Sequence, residues 1–168
     1  MDDPDGPEHR DHLRVARPKP LSLIERSRSI DPVAEPLAEG TPRPALTSIA
    51  LRTDGDRVTA TITLALHGRV LSASQSGDAG DRTRIVAEAA LESVAQLLGT
   101  PASLESAQVV EISGREIAIS VVQMQLSTDD PGSRPRFEVL VGSAIVRGDS
   151  EDATARSVLS ALNRRLGV

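Results

Sequence analysis

The sequence contains no cysteine, tryptophan or tyrosine, and Phe137 is its one aromatic residue. Without cysteine the chain has no disulfide, no thiol nucleophile and no sulfur ligand for zinc. With one aromatic ring it also has no platform on which unpaired bases stack. The net charge of −5 does not attract nucleic acid or anionic lipid. We therefore expect no nucleic acid and no membrane among its partners, and an interior built from Val, Leu, Ile and Ala.

Long apolar runs are missing as well, because no stretch approaches the roughly 18 residues of a membrane span. The N-terminus, MDDPDGPEHRDH, is acidic and lacks the apolar run of a signal peptide. The length of 168 residues fits one domain plus a tail. These features together predict a cytoplasmic protein.

Proline is unevenly distributed, since eight of the eleven prolines lie in residues 1–44. Proline removes a backbone donor and restricts the residue before it. Apolar residues are sparse in the same stretch, so it cannot bury enough surface to offset the entropy of ordering. The composition predicts a largely disordered N-terminal tail at 1–44, followed by a folded domain at 45–168.

One apolar segment, LSLIERSRSI at residues 21–30, interrupts the tail. It has two interpretations. In the first it is a linear motif that forms one or two helical turns on a larger protein partner. In the second it packs on the protein's own domain. The candidate partner-binding residues are Leu21, Leu23, Ile24, Arg26, Arg28 and Ile30.

The domain begins with three predicted strands and a helix. VTATITLAL, residues 58–66, alternates between apolar residues and mainly threonine, which predicts a half-buried antiparallel strand. Weaker strands are predicted at 46–51 and 69–75, joined to it by Asp-Gly and His-Gly turns. A helix follows, with Asp81 as its expected N-cap and Gly99 at its end.

The second half of the chain repeats this order of elements. Strands are predicted at 107–112, 116–126 and 137–146, and the C-terminal helix is capped by Asp149 or Ser150. A shift of 68 residues aligns Asp81 with Asp149, and a shift of 58 aligns Leu46 with Leu104. The predicted fold class is α+β: two β-β-β-α units, 45–99 and 104–167, form a mostly antiparallel sheet domain with an approximate two-fold axis.

The long strand at 116–126 has an unusual pattern, because its apolar residues change face between Val121 and Val122. One explanation is a β-bulge at this point. The other is a strand covered on both faces, for example by a second subunit.

Residues with catalytic or metal-binding chemistry are few. His9 and His12 lie in the tail without a third or fourth ligand, and His67 lies in a hairpin turn. The chain has no Gly-x-Ser-x-Gly, Gly-x-Gly-x-x-Gly or Walker motif. We predict no metal, no cofactor and no catalytic residue.

Glycine-rich joints before the two helices are the candidate ligand site. Amides at a helix start can hold an anion, but Asp78 and Asp81 repel one, which favours a small zwitterion. Gly142 is also a candidate for the ligand site, because a glycine within a strand often marks a bulge or a close backbone approach. The candidate residues are Gly77, Asp78, Gly80, Asp81, Gly142, Gly148 and Asp149. The alternative is that these residues have only structural roles.

The order of elements, with a glycine-rich joint before each helix, resembles the regulatory domain of 2-isopropylmalate and citramalate synthases over about residues 45–168. The resemblance implies a pseudo-repeat that dimerises and binds an amino-acid end product such as leucine or isoleucine. SGDAGDRTRIVAEAAL takes the place of that family's Gly-x-Gly-Pro-Val-Asp-Ala but lacks Pro-Val-Asp-Ala. The ending GSAIVRGDSEDATARSVLSALNRRL also looks like that of small actinobacterial proteins.

Three functions are compatible with these patterns. The first is a non-catalytic regulatory or scaffolding protein that forms a homodimer through the α+β domain and contacts a larger partner through its tail. The second is a sensor of a small, amino-acid-like metabolite. The third is a small enzyme that binds a carboxylate or phosphate through Arg84, Arg115 and Arg147. We expect the first, because a full set of fold signals is accompanied by no catalytic constellation.

Overall fold

The computed structural model describes residues 25–29, 43–126 and 134–166. They form, in chain order, β1 (Glu25–Ser29), β2 (Ala45–Asp54), β3 (Arg57–Leu66), β4 (Arg69–Asp78), α1 (Arg82–Leu98), β5 (Ala102–Ile112), β6 (Arg115–Leu126), β7 (Arg136–Ile145) and α2 (Ser150–Leu162). All pairings are antiparallel. Sheet A has the order β1-β2-β3-β4 and sheet B the order β5-β6-β7. The α+β class with two β-β-β-α units is confirmed, and the strands are divided between two sheets.

The hairpin turns form where the sequence predicts them. His67 and Gly68 join β3 to β4 with φ of 51° and 74°, and Ser113 and Gly114 join β5 to β6 with φ of 52° and 73°. Two consecutive positive φ angles are characteristic of the turn whose twist matches that of paired strands. His67 is therefore a turn residue, as expected.

The first strand of each unit contains the same irregularity. The register shifts between Leu46 and Ser48 in β2, and between Leu104 and Ser106 in β5. The extra residues are Thr47 and Glu105, 58 apart in the chain, which is the shift that aligns the first strands of the two units. A bulge repeated at an equivalent position supports the internal duplication.

The expected bulge at Val121 and Val122 lies on the neighbouring strand. Val122 faces Leu104 and Val121 faces Ser106, so the extra residue, Glu105, belongs to β5. β6 itself pairs with β7 without a shift from Ile117 to Leu126. The change of apolar face along β6 thus has another cause, which the surface of sheet B explains below.

Both helices are buried around most of their circumference. α1 packs on β3 and β4, on β5 of the other unit, and on α2, while α2 packs on β6 and β7. One hydrophobic core therefore includes residues from both sheets and both helices, among them Ile62, Leu64, Val86, Val94, Val122, Val158 and Leu162. Alanines on the helices, such as Ala87, Ala90 and Ala155, allow close packing in a core without aromatic rings. In the described part of the chain no helix is long and apolar enough to cross a membrane.

The two helices end differently. α1 ends at Gly99 with φ of 64°, the left-handed cap that its sequence predicts. α2 ends at Leu162, and the amides of Arg165 and Leu166 both donate to the Leu162 carbonyl, at 2.8 and 3.1 Å. This final turn places Leu166 against the core. Gly167, the expected end of the helix, lies outside the described residues.

Seven residues of the predicted disordered tail are described, namely 25–29, which form β1, and 43–44, which lead into β2. Glu25 lies opposite Arg52 and Ser29 opposite Ser48, so the segment extends sheet A along β2. These residues are extended, whereas the linear-motif interpretation expected helical turns. The remaining tail predictions, Leu21, Leu23, Ile24, Ile30, His9 and His12, lie outside the described residues.

Candidate functional site

The fold brings together the two glycine-rich joints that the sequence predicts as a ligand site. Arg82, the first residue of α1, forms an ion pair with Glu151 in the first turn of α2, and the Nε–Oε1 distance is 2.7 Å. The starts of the two helices are therefore neighbours. Gly142 does not belong to these joints, since it lies within β7.

The joint before α1 is stabilised by its own hydrogen bonds. Asp78 Oδ1 accepts from the Gly80 amide at 2.7 Å, and the Ala79 amide donates to the Asp56 carbonyl at 2.8 Å. Asp78 thereby caps a single 3-10 turn, Ala79–Asp81, that leads into the helix. Asp81 occupies the N-cap position of α1, as predicted, but its side chain does not make the expected capping bond. The earlier aspartate takes this role because the chain starts to turn three residues sooner.

The joint before α2 agrees with the prediction. Asp149 Oδ1 accepts from the Glu151 amide at 3.3 Å, so Asp149 caps this helix. Thr154 Oγ1 donates to the Ser150 carbonyl at 2.7 Å and reinforces the first turn. Acidic residues at this end also interact favourably with the helix dipole. Asp149, like Asp78 at the other joint, therefore accepts a hydrogen bond from its own helix start.

Glu151 is the most perturbed acidic group at the joints. Its side chain is 15% exposed, and burial raises its pKa above the usual value of 4.5. The adjacent Asp149 side chain raises the pKa further, while hydrogen bonds from the Glu151 amide and from Ser150 Oγ lower it in part. Arg82 is 43% exposed, so solvent screens its opposing charge.

Stability should depend on pH through this carboxyl. Because its pKa is raised in the folded state, the folded protein binds more protons than the unfolded chain at pH values between 4.5 and that raised pKa. The free energy of unfolding of the wild type, relative to Glu151→Gln, should therefore increase as the pH falls through this window. Chemical denaturation followed by circular dichroism at several pH values measures the difference. Glu92→Gln on the exposed side of α1 controls for removal of a carboxylate, and a difference independent of pH would refute the prediction.

Gly142 does not belong to a ligand site in this fold, because α2 covers it. A Cβ atom at this position would lie 2.1 Å from the Ser157 carbonyl oxygen and 2.2 Å from the Ala161 nitrogen. The close backbone approach expected of a strand glycine is thus an approach by the helix. Next to it, Ser120 and Ser157 share a buried hydrogen bond of 2.6 Å that joins β6 to α2.

The most distinctive surface is the face of sheet B that points away from the helices. It is apolar along all three strands, and five of its side chains are strongly exposed: Ile112 49%, Phe137 53%, Val139 56%, Val141 63% and Ile145 46%. Val121 lies opposite Val141, and Ile117 opposite Ile145, so the apolar side chains are contiguous. We call this surface the outer face of sheet B; its apolar members are Val110, Ile112, Ile117, Ile119, Val121, Phe137, Val139, Val141 and Ile145.

The equivalent face of sheet A is polar along most of β3 and β4, and its exception is Val70 near the start of β4, which is 72% exposed. Across β3 and β4, threonine and serine hydroxyls pair at 2.7 Å for Thr59 with Ser76 and 2.7 Å for Thr61 with Ser74. A third pair, Thr63 with Ser72, lies at 3.3 Å. Such hydroxyl pairs stabilise a sheet and remain compatible with water. Apart from Val70, the outer face of sheet A is therefore polar.

This comparison explains the pattern of β6. Ala118, Ser120, Val122 and Met124 are buried on the side of the helices, while Ile117, Ile119 and Val121 point to the other side. The apolar residues of β6 thus lie on the outer side at Ile117–Val121 and on the helix side at Val122 and Met124, which accounts for the change of face. Cover of the outer side by a second subunit stays a prediction. Sequence reasoning missed the exposed residues of β7, although the run VLV at 139–141 carried the same signal.

The remaining predictions concern the tail and metals. Arg26 lies opposite Leu51 and Arg28 opposite Ile49 in the register of β1 with β2. Within the described residues, no three His, Cys, Asp or Glu side chains are grouped to hold a metal ion. The three arginines considered for an enzyme lie on different elements: Arg84 on α1, Arg115 on β6 and Arg147 after β7.

No protein-family model and no curated protein matches this sequence.

Proposed function

We propose that this protein is a non-catalytic regulatory or scaffolding protein of the cytoplasm, which forms a homodimer through the outer face of sheet B. The observation that supports this proposal is the contiguous apolar surface of that face, in which Val139 and Val141 are more than half exposed. Soluble monomers rarely expose apolar patches of this kind, and large ones mark interaction sites. The part of the tail that precedes β1, with Leu21, Leu23 and Ile24, contacts a larger partner.

The size of the face suits a specific interface. Strands about 4.8 Å apart, rising about 3.3 Å per residue, give three strands of ten residues a projected footprint of roughly 475 Å². The accessible area of the side chains on this footprint is larger than its projection. A specific interface buries about 600–1,000 Å² on each partner. One such face is therefore close to what a stable dimer needs.

The chemistry of the face favours a second copy over a different partner. Its polar members near the centre are uncharged, such as Gln108, Gln123 and Ser143, and Arg115 lies at the turn end. In a symmetric dimer each residue meets the same surface on the other copy, so like charges at the centre would repel. A neutral, apolar face avoids this repulsion. Two sheets packed face to face would stand about 10 Å apart.

The internal duplication offers a further argument. At the shift of 58, Thr59, Thr61 and Thr63 of β3 correspond to Ile117, Ile119 and Val121 of β6. The buried positions of both units are apolar or small, while these three outward positions are polar in β3 and apolar in β6. At these positions the outer side of the sheet is therefore apolar only in the second unit, the one proposed to form the dimer interface.

Val141→Lys should dissociate the dimer. Val141 lies in the middle of the face, opposite Val121, and a symmetric interface would bury two unpaired ammonium groups. We expect the dimer dissociation constant to rise at least about 100-fold, or about 2.7 kcal/mol. Size-exclusion chromatography with light scattering over a concentration series measures the change.

The matched control is Ser72→Lys, because Ser72 pairs with Thr63 on the outer face of sheet A as Val141 pairs with Val121 on sheet B. This variant should dimerise like the wild type. A wild-type protein that stays monomeric at every concentration would refute the proposed dimer, and an unchanged Val141→Lys dimer would refute the proposed interface. Removal of residues 1–24, which leaves β1 in place, should abolish binding to the larger partner and leave dimerisation intact.

A further inference from the structure

The two units differ at one strand edge. Sheet A has four strands because β1 pairs with β2 over Ser48–Arg52, whereas sheet B has three. β2 and β5 are equivalent strands, since both carry a bulge at the same place, and the equivalent of Ser48–Arg52 is Ser106–Val110. Among residues 25–29, 43–126 and 134–166, no strand pairs with the outer edge of β5.

The opposite edges of the two sheets, formed by β4 and β7, show no such difference. β4 and β7 are also equivalent, and each forms the edge of its sheet in the described part of the chain. The duplicated units thus agree at that edge and disagree at the edge of β2 and β5. An unpaired edge presents a row of backbone donors and acceptors that another strand can complete.

We infer that the outer edge of β5 is a docking site for an extended peptide segment of a partner protein, which adds to sheet B as an antiparallel strand. The equivalent edge of β2 already accepts such a strand from the chain's own tail, over five residues. Each chain has two equivalent edges and one such strand in its described residues. As part of this inference, the strand for β5 comes from a different protein.

The local sequence of β5 suits strand addition. Ser106–Val110 contains no proline and no charged residue, which are the usual means of blocking an edge. Val109 and Val110 are β-branched and favour extended backbone. Backbone hydrogen bonds would supply affinity, as in other cases of strand addition.

Charges next to this stretch define the chemistry of the partner. Glu105 and Glu111 flank Ser106–Val110, and Glu111 lies directly opposite Glu116 on β6. Like charges in this arrangement are destabilising. None of these three glutamates takes part in an ion pair between described residues. An incoming strand with arginine or lysine at both ends would neutralise them, so the partner segment is basic at its ends and uncharged in its middle.

Short synthetic peptides of alternating Thr and Val test the inference, one with Arg and one with Glu at both ends. Amide hydrogen exchange, measured by NMR on the full chain, should show new protection at Ser106–Val110 with the Arg peptide. That peptide should bind at least about tenfold more tightly than the Glu peptide. No protection, equal binding, or protection at Ser48–Arg52 through displacement of β1 would overturn the inference. The inference would also be overturned if the amides of Ser106–Val110 were already protected in the free protein and lost that protection on removal of residues 1–29. The chain's own tail would then occupy this edge.

Two proline variants test the role of the backbone edge. Amides of successive strand residues point in opposite directions, so one of Ala107→Pro and Gln108→Pro removes an outward donor and the other disrupts pairing with β6. The variant that keeps wild-type thermal stability should lose binding of the Arg peptide, and retained binding in that variant would overturn the inference. Val141→Lys should bind the peptide as the wild type does. Loss of the dimer in that variant with peptide binding retained separates this site from the proposed dimer interface.

Discussion

Gly142→Ala should lower the free energy of unfolding by at least about 3 kcal/mol, at or above the upper end of ordinary overpacking costs. The added Cβ would stand 2.1 Å from the Ser157 carbonyl oxygen and 2.2 Å from the Ala161 nitrogen. Both atoms belong to the backbone of α2, so no side-chain rotation relieves the contact and the whole helix must move. That movement would also separate the buried Ser120 and Ser157 hydroxyls, now 2.6 Å apart.

Urea denaturation followed by circular dichroism measures this loss, because the chain has no tryptophan or tyrosine for fluorescence. Gly77→Ala is the matched control. Its Cβ would meet Ile85 Cδ1 at 2.9 Å and Cγ1 at 3.2 Å, which are atoms of a side chain and not of the backbone. We expect a cost below about 1.5 kcal/mol there. Equal destabilisation by the two variants would contradict the role assigned to the contact between α2 and β7.

Local patterns were sufficient to predict most of the fold. The alternation in VTATITLAL predicts β3, and Gly99 predicts the left-handed end of α1. Errors occur where two local signals compete or where pairing is distant in sequence. Asp78 and Asp81 are both good capping residues, and only the backbone decides that Asp78 caps the turn. β5 starts at Ala102, earlier than predicted, because Ala102 pairs with Met124 on β6.

The candidate site was less predictable, for a physical reason. Periodicity shows that a strand has an apolar face, but not which face the helices cover. Gly148 and Asp149 have the composition of a ligand-binding joint, yet the Asp149 carboxylate caps a helix. Conversely, Val139 and Val141 have the composition of a core strand, yet they lie on the uncovered side. Only the packing of α2 on the opposite side of β7 distinguishes these cases.

Separation of the two units should abolish cooperative folding altogether. We expect residues 43–101 and residues 102–168, each expressed alone, to show no cooperative thermal transition by circular dichroism. Val94 on α1 and Val158 on α2 are fully buried, and they belong to one core with Leu64 of sheet A and Val122 of sheet B. A cut between the units exposes these surfaces. A chain of about 60 residues buries only about 60% of its surface even when intact, so it cannot compensate for this loss.

Mixing the two halves in equal amounts should restore a cooperative transition, because complementary surfaces then bury one another. Leu162→Ala in the second half tests whether the shared core holds the two halves together, since Leu162 is fully buried. It should weaken the reconstituted complex by about 2–5 kcal/mol. A first half that melts cooperatively at the temperature of the whole protein would show that α1 does not depend on β5 and α2. The duplicated units would then be independent domains. The differences between their outer faces and edges could then no longer be explained by one unit's carrying the binding surfaces of a single fold.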